Sequence, residues 1–351
     1  MEMEVKMERK RILSIDGGGI RGIIPLCALT ELERQLGKRA GEFFSFFAGT
    51  STGAIISGGL ATGLTAARCL DIYKTLGKRA FVSNPWDWIA SLGSYKYRTQ
   101  PLVDLLKEFI PNPILNQVPA DILLTAMRVI DGKPFYFVKD NPANEGMFGK
   151  LRLVDCIAAS AAAPTFFEPW PVPKVGVCVD GGVGIAGNPA YQACVEAFDY
   201  TPADAYPKAN TTVVSLGTGF FKKENKPDNL LEWVQWIVGE LLDEPAEQQT
   251  MLIRRHYVPE GVHLVRLNVQ MPQDIAMDDI GAIDHLVRIG MEAAKKLDWN
   301  ALLLSPSGTR AVVLPGQLPR NRAETRNVIT LSRPRQAAAP RGKRGAKRAK
   351  K

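Results

Sequence analysis

The chain has 351 residues, 46% hydrophobic and 23% charged, enough to bury a core in one large domain or two smaller ones. Its formal net charge of +8 belongs to its end: nine of the 44 Lys and Arg fall between Arg333 and Lys351, where there is no acid, and the other 35 face 36 Asp and Glu. A near-neutral body argues against a nucleic-acid-binding fold, and five scattered cysteines without a C-x-x-C argue against a disulfide framework.

The start, "MEMEVKMERK", mixes acids and bases and has no apolar stretch, so no secretory signal is expected. No run reaches the ~18 apolar residues of a membrane span. His256, His263 and His285 lack zinc-ligand spacing, and no metal or cofactor is expected. These features together predict a cytoplasmic protein.

In chain order, residues 1–9 form an extension and "RILSI" (11–15) predicts a buried strand. It runs into Asp16-Gly17-Gly18-Gly19-Ile20-Arg21-Gly22, which satisfies G-x-G-x-x-G. "IIPLCALTELERQL" (23–36) follows at helical spacing, with Leu26, Leu29, Leu32 and Leu36 on one face and Pro25 in the first turn. "FFSFFAG" (43–49) predicts a second buried strand, and "AIISGGLATG" (54–63) begins a second helix. Strand–turn–helix repeated twice is the pattern of a parallel sheet with right-handed crossovers.

Residues 81–150 are less regular. "NPWDWIASLGSYKYR" (84–98) gathers Trp86, Trp88, Ile89, Tyr95 and Tyr97, either as an interfacial flap, as part of an acyl pocket, or as a cap on the core. "FYFVKD" (135–140) predicts a strand, "LVDCIAASAAAPTFFEPW" (153–170) an Ala-rich helix stopped by Pro164, and "VGVCVDGG" (175–182) and "TTVVSLGTG" (211–219) two more strands ending in glycine turns. "NLLEWVQWIVGELL" (229–242) reads as an apolar helix whose Trp233 and Trp236 belong to the core. The main domain is expected over 10–331, and the Pro-, Gly-, Ala- and base-rich residues 332–351 as a disordered tail.

Gly49-Thr50-Ser51-Thr52-Gly53 is G-x-S-x-G between a predicted strand and a predicted helix. A nucleophile elbow needs small residues flanking the serine, because the turn leaves no room for side chains. A dinucleotide site would need a carboxylate at the end of the second strand to hold a ribose, and that strand ends in Ala48-Gly49-Thr50-Ser51. The Walker pattern is absent as well. The glycine turn is therefore read as an oxyanion hole, its N–H groups facing the tetrahedral oxyanion of an attacked ester.

The base for Ser51 is read as Asp180, which closes the strand "VGVCV" before Gly181-Gly182 and can stand at the same sheet edge. Partial burial would raise its pKa towards useful basicity. His285 falls in a predicted helix, and His256 follows Arg254 and Arg255 at an expected surface.

"SIDGGGIRGIIP", "AGTSTGAII", "SAAAPTFFEP", "VDGGVGIAGNPA" and "SLGTG" occur in the order found in patatin-like phospholipases, and the chain resembles that family over roughly residues 10–220. The resemblance implies a three-layer α/β sandwich with a mostly parallel central sheet and helices on both faces. It implies a lipid acyl hydrolase with a Ser–Asp dyad, Ser51 as nucleophile and Asp180 as proton acceptor, acting on membrane or micellar phospholipid. Gly17, Gly18 and Gly19 would form the oxyanion loop, supported by Gly22 and by Arg21, which would hold the loop or meet an anionic headgroup. Acyl transfer to an alcohol by the same dyad stays open. A storage or lipid-binding role is opposed by the intact Ser51 and Asp180. The basic tail would draw the protein to an anionic membrane surface or act only as a solubiliser.

Overall fold

The computed structural model describes residues 9–80, 95–144, 146, 148–221, 228, 246–304 and 309–315. The aromatic segment up to residue 94, the apolar segment 229–242 and the basic tail lie outside the described residues.

Strand β1 (Lys10–Ile15) leads through the glycine turn into α1 (Ile23–Leu36). Leu26, Leu29 and Leu32 are fully buried, as their spacing requires, and Gly37 ends the helix in the left-handed conformation. A short helix α2 (Ala40–Phe43) precedes β2 (Phe46–Gly49), so the second strand begins three residues later than its aromatic run suggests. Two local bonds account for this: the Glu42 carboxylate accepts from the Arg39 backbone N–H, and Glu33 of α1 accepts from Ala40 N–H. The other Glu33 oxygen takes Ala66 N–H, at the start of α4 (Ala66–Ala80), which follows α3 (Thr52–Ala61).

The stretch read as irregular contains helix α5 (Thr99–Phe109) and strand β3 (Asp121–Arg128), followed by β4 (Lys133–Val138). Then come α6 (Leu153–Ala161), β5 (Trp170–Val172), β6 (Gly176–Asp180), α7 (Ala190–Val195) and β7 (Thr211–Leu216). After a helical stretch α8 (246–256) the chain continues through β8 (His263–Gln270), α9 (Ile283–Ala294), α10 (Trp299–Leu304) and β9 (Thr309–Pro315).

The nine strands among the described residues form one sheet. Its order is β5-β6-β3-β2-β1-β7-β8-β9, with β4 on β3. From β3 to β9 all pairings along this order are parallel, and β4, β5 and β6 make the antiparallel ones. Alternate residues feed two cores. Leu13, Ile15, Phe47, Leu124 and Val214 face α1, α3, α6 and α9, whereas Ile12, Phe46, Leu123 and Val213 face α7 and α8. This is the mostly parallel sheet covered by helices on both sides that the repeated strand–turn–helix pattern predicts. All five cysteines are buried and unpaired. Among the described residues no helix is long and apolar enough to cross a membrane.

Candidate active site

Ser51 joins β2 to α3 with φ 56° and ψ −120°, a backbone region that costs a non-glycine residue about 1–3 kcal/mol. The turn is tight enough that a Cβ on Gly53 would stand 2.1 Å from the Ile15 carbonyl oxygen, so only glycine fits there. The flanking threonines are buried: Thr52 opens α3, and the Thr50 hydroxyl pairs with Thr125 Oγ1 at 2.8 Å and donates to Ala186 O. The Ser51 N–H donates to Ser160 Oγ at 3.0 Å, which ties the elbow to the end of α6.

Asp180 reaches Ser51 through an arrangement of strands on β3. One edge of β3 is occupied by β4 over Leu123–Arg128. The other edge is shared end to end. β2 fills it up to Gly49 opposite Leu124, and β6 fills it from Asp180, opposite Ala126, onward. Where β2 turns away into the elbow, β6 takes over its lane, and Asp180 is the residue nearest the turn. The Ser51 hydroxyl faces the Asp180 carboxylate closely enough to draw its pKa down, and Gly182 N–H donates to Asp180 Oδ1 at 2.7 Å. Gly181 packs on Thr125. Asp180 is 4% exposed, and burial pushes its pKa up to about 6 against the opposing pull of Ser51 and Gly182.

The glycine loop lies against the elbow: a Cβ on Gly17 would be 3.4 Å from Ser51 Cβ, and one on Gly22 would be 2.4 Å from Thr52 Oγ1. The loop is fixed from several sides. Asp16 makes a bidentate pair with Arg266 at 3.0 and 2.7 Å, and both side chains are buried. Gly17 O accepts from Thr218 Oγ1 at 2.7 Å, Gly19 O from Tyr73 Oη at 2.8 Å, and Ile20 N–H donates to Met277 O at 2.7 Å. Gly17 N–H is engaged too, with Gly187 O at 2.9 Å. Among the described residues no acceptor takes the N–H of Gly18 or Gly19, so these two are the donors open to a ligand. Gly18, at φ 155°, would place a Cβ 2.2 Å from Thr218 Oγ1, so no side chain is tolerated there. Arg21 is 6% exposed, and its backbone N–H donates to Gly18 O at 3.2 Å.

The histidines stand apart from this arrangement. His263 begins β8 at the opposite edge of the sheet, where its Nε2 meets Leu302 O at 3.0 Å. His256 is exposed and pairs with Tyr191 Oη, and His285 lies in α9. Among the described residues no group of His, Cys, Asp and Glu could hold a metal ion.

Ser160, Thr218, Arg266 and the Ala186–Asn188 turn also hold the site, although no sequence pattern gives them a role. Ser160, Thr218 and Ala186–Asn188 stand inside the stretches "SAAAPTFFEP", "SLGTG" and "VDGGVGIAGNPA", so their positions carried a signal without a role. Arg266, 250 residues from its partner, carried none.

Sheet, helical layers and elbow together define a three-layer α/β protein. The family model described as patatin-like phospholipase matches residues 13–194, more than half of the chain, and the chain belongs to that family. It is 26% identical over 308 residues to a cGAMP-activated phospholipase of Vibrio cholerae, an alignment covering 79% of this chain and 86% of that protein. With a cGAMP-activated phospholipase of Escherichia coli it shares 30% over 206 residues, 55% of this chain and 57% of the relative. With patatin group D-3 of Solanum tuberosum it shares 27% over 328 residues, 82% and 84% of the two chains.

Proposed function

We propose that this protein is a lipid acyl hydrolase of phospholipase A or lysophospholipase type, with Ser51 as nucleophile and Asp180 as the only base. The observation that carries the reading is the strand register that brings a buried carboxylate up to a strained elbow serine. Family membership and relatives named as phospholipases support the substrate class.

The Asp180 carboxylate takes the Ser51 proton as Oγ attacks the acyl carbonyl. An ordinary aspartate, near pKa ~3.9, is a weak acceptor, and a value of about 6 improves the match while leaving the group ionised at neutral pH. The carbonyl oxygen becomes an oxyanion that the Gly18 and Gly19 N–H groups receive. These donors are held by the fixed carbonyls on either side, so they do not reorganise as charge develops. Collapse expels the lysolipid or alcohol, which takes the proton from Asp180. Water then attacks the acyl-serine, Asp180 accepts its proton, the fatty acid leaves and the proton returns to Ser51 Oγ.

The test is product analysis by mass spectrometry after incubation with phosphatidylcholine micelles, with and without an added alcohol. Free fatty acid and lysolipid from the wild type, and neither from a folded Ser51→Ala protein, are expected. Acyl transfer to the alcohol in place of fatty-acid release would refute hydrolysis as the reaction.

A further inference from the structure

The strand register that brings Asp180 to Ser51 also carries two hairpin tips past the catalytic edge. β3 continues beyond Ala126, the partner of Asp180, to Arg128 and a turn at 129–132. Beside it β6 begins at Gly176, after the turn that links it to β5, and Val129 N–H donates to Val177 O at 2.9 Å. At ~3.3 Å per residue the first tip stands roughly 10 Å beyond the level of Asp180.

Those tips are apolar where solvent meets them. Ile130 is 88% exposed, Val129 51% and Val177 45%. The loop after Asp180-Gly-Gly adds Val183 and Ile185, also exposed, and is placed over β3 by the contact of Gly184 with the Met127 methyl. Pairing Val129 with Val177 puts both on the sheet face opposite Asp180. A single exposed aliphatic residue is ordinary, but five around one edge form a patch that needs a partner. The patch is flanked by exposed Lys133 and Lys174, which make no ion pair among the described residues. The nearby Arg128 charge is taken by Asp131 through two bonds, at 3.0 and 2.6 Å.

We infer that the β3–β4 and β5–β6 hairpin tips, with the 183–185 loop, form the surface by which this protein docks on an anionic lipid layer. Aliphatic tips that enter the acyl boundary, under lysines that meet phosphate headgroups, fit a charged lipid surface. Docking there sets the Ser51 elbow against the layer that supplies its ester. The inference rests on the lipid-hydrolase reading of that site, since the substrate is what would bring the edge to a membrane.

The test is flotation of the full-length chain with vesicles of phosphatidylcholine and phosphatidylserine, in a Ser51→Ala background so that binding is read without hydrolysis. Val129→Ser with Ile130→Ser should weaken binding roughly tenfold, because two aliphatic side chains no longer leave water. Ile130→Trp should strengthen it, and Lys133→Ser with Lys174→Ser should weaken binding to anionic vesicles while sparing pure phosphatidylcholine. With Ser51 restored, Val129→Ser/Ile130→Ser should lose vesicle hydrolysis by a similar factor and keep hydrolysis of a monomeric short-chain ester within about twofold. Vesicle binding equal to wild type, or equal loss on both substrates, overturns the docking surface, and so does disruption of a dimer in place of vesicle binding. Failure of the wild type on the monomeric ester would instead sink the hydrolase reading, so the two failures are distinct.

Discussion

The Ser51 hydroxyl faces the buried carboxylate of Asp180, and the two residues meet because β6 occupies the lane that β2 leaves at Gly49. None of the three histidines lies at this junction. Asp180 is held by the helical layer as well as by its strand, its N–H donating to the O of Ala162, just past α6, at 3.0 Å.

This predicts a pH dependence with a definite sign. Only the ionised carboxylate accepts the Ser51 proton, so kcat/KM on a neutral soluble ester should rise through a midpoint near 6. The folded pKa of about 6 lies above the unfolded value of ~3.9, so Asp180 destabilises the fold increasingly from pH 4 to 6 and by a constant amount above that. Asp180→Asn should therefore be inactive yet more stable than wild type at pH 8, by about 3 kcal/mol, with most of the gain gone at pH 4. Urea unfolding at the two pH values measures it. Single His→Gln changes at 256, 263 and 285 should keep most of the activity.

The elbow stores strain, and removing it should show. Glycine adopts φ 56° with ψ −120° far more readily than serine does, so Ser51→Gly should be more stable than wild type by about 1 kcal/mol. Ser51→Ala keeps a Cβ and should gain little. Equal urea midpoints for the two variants would mean that the turn is not strained.

The buried Asp16–Arg266 pair fixes the strand end from which the glycine loop departs. Asp16→Ala takes the bidentate carboxylate from a buried guanidinium, leaving it the looser and largely exposed Glu247 at 3.8 Å, and should cost about 3 kcal/mol. Asp16→Ala combined with Arg266→Met removes both charges and should recover most of that stability. If the pair also positions Gly18 and Gly19, kcat should stay low in the stable double variant while KM changes little, which a purely structural role would not produce.

The elbow, the glycine loop and Asp180 were legible because each closes a strand with a short local pattern. What remained hidden depends on contacts distant in sequence. "DILLTAMR" is rich in helix-forming Leu, Ala and Met, and becomes β3 because β2, β4 and β6 pair with it. The Phe43 start of the aromatic run becomes helix because Glu33, ten residues earlier, caps it. Of three glycines read as oxyanion donors, Gly17 has its N–H engaged by Gly187 across the site, which spacing alone does not reveal.

The nine basic residues from Arg333 to Lys351 should add a salt-sensitive attraction to anionic vesicles, roughly 1 kcal/mol for each one close to the surface. Deleting 333–351 should weaken sedimentation with such vesicles at low salt and leave soluble-ester hydrolysis unchanged. Equal sedimentation of both proteins would reduce the tail to a solubiliser.

The most direct test of the Ser51–Asp180 account is covalent labelling with a fluorophosphonate, read by peptide mass spectrometry at pH 8. The account predicts a single adduct on Ser51, strongly slowed by Asp180→Asn and unaffected by changing any of the three histidines. An adduct on another residue, or labelling that survives in Asp180→Asn and fails in a histidine variant, would contradict it.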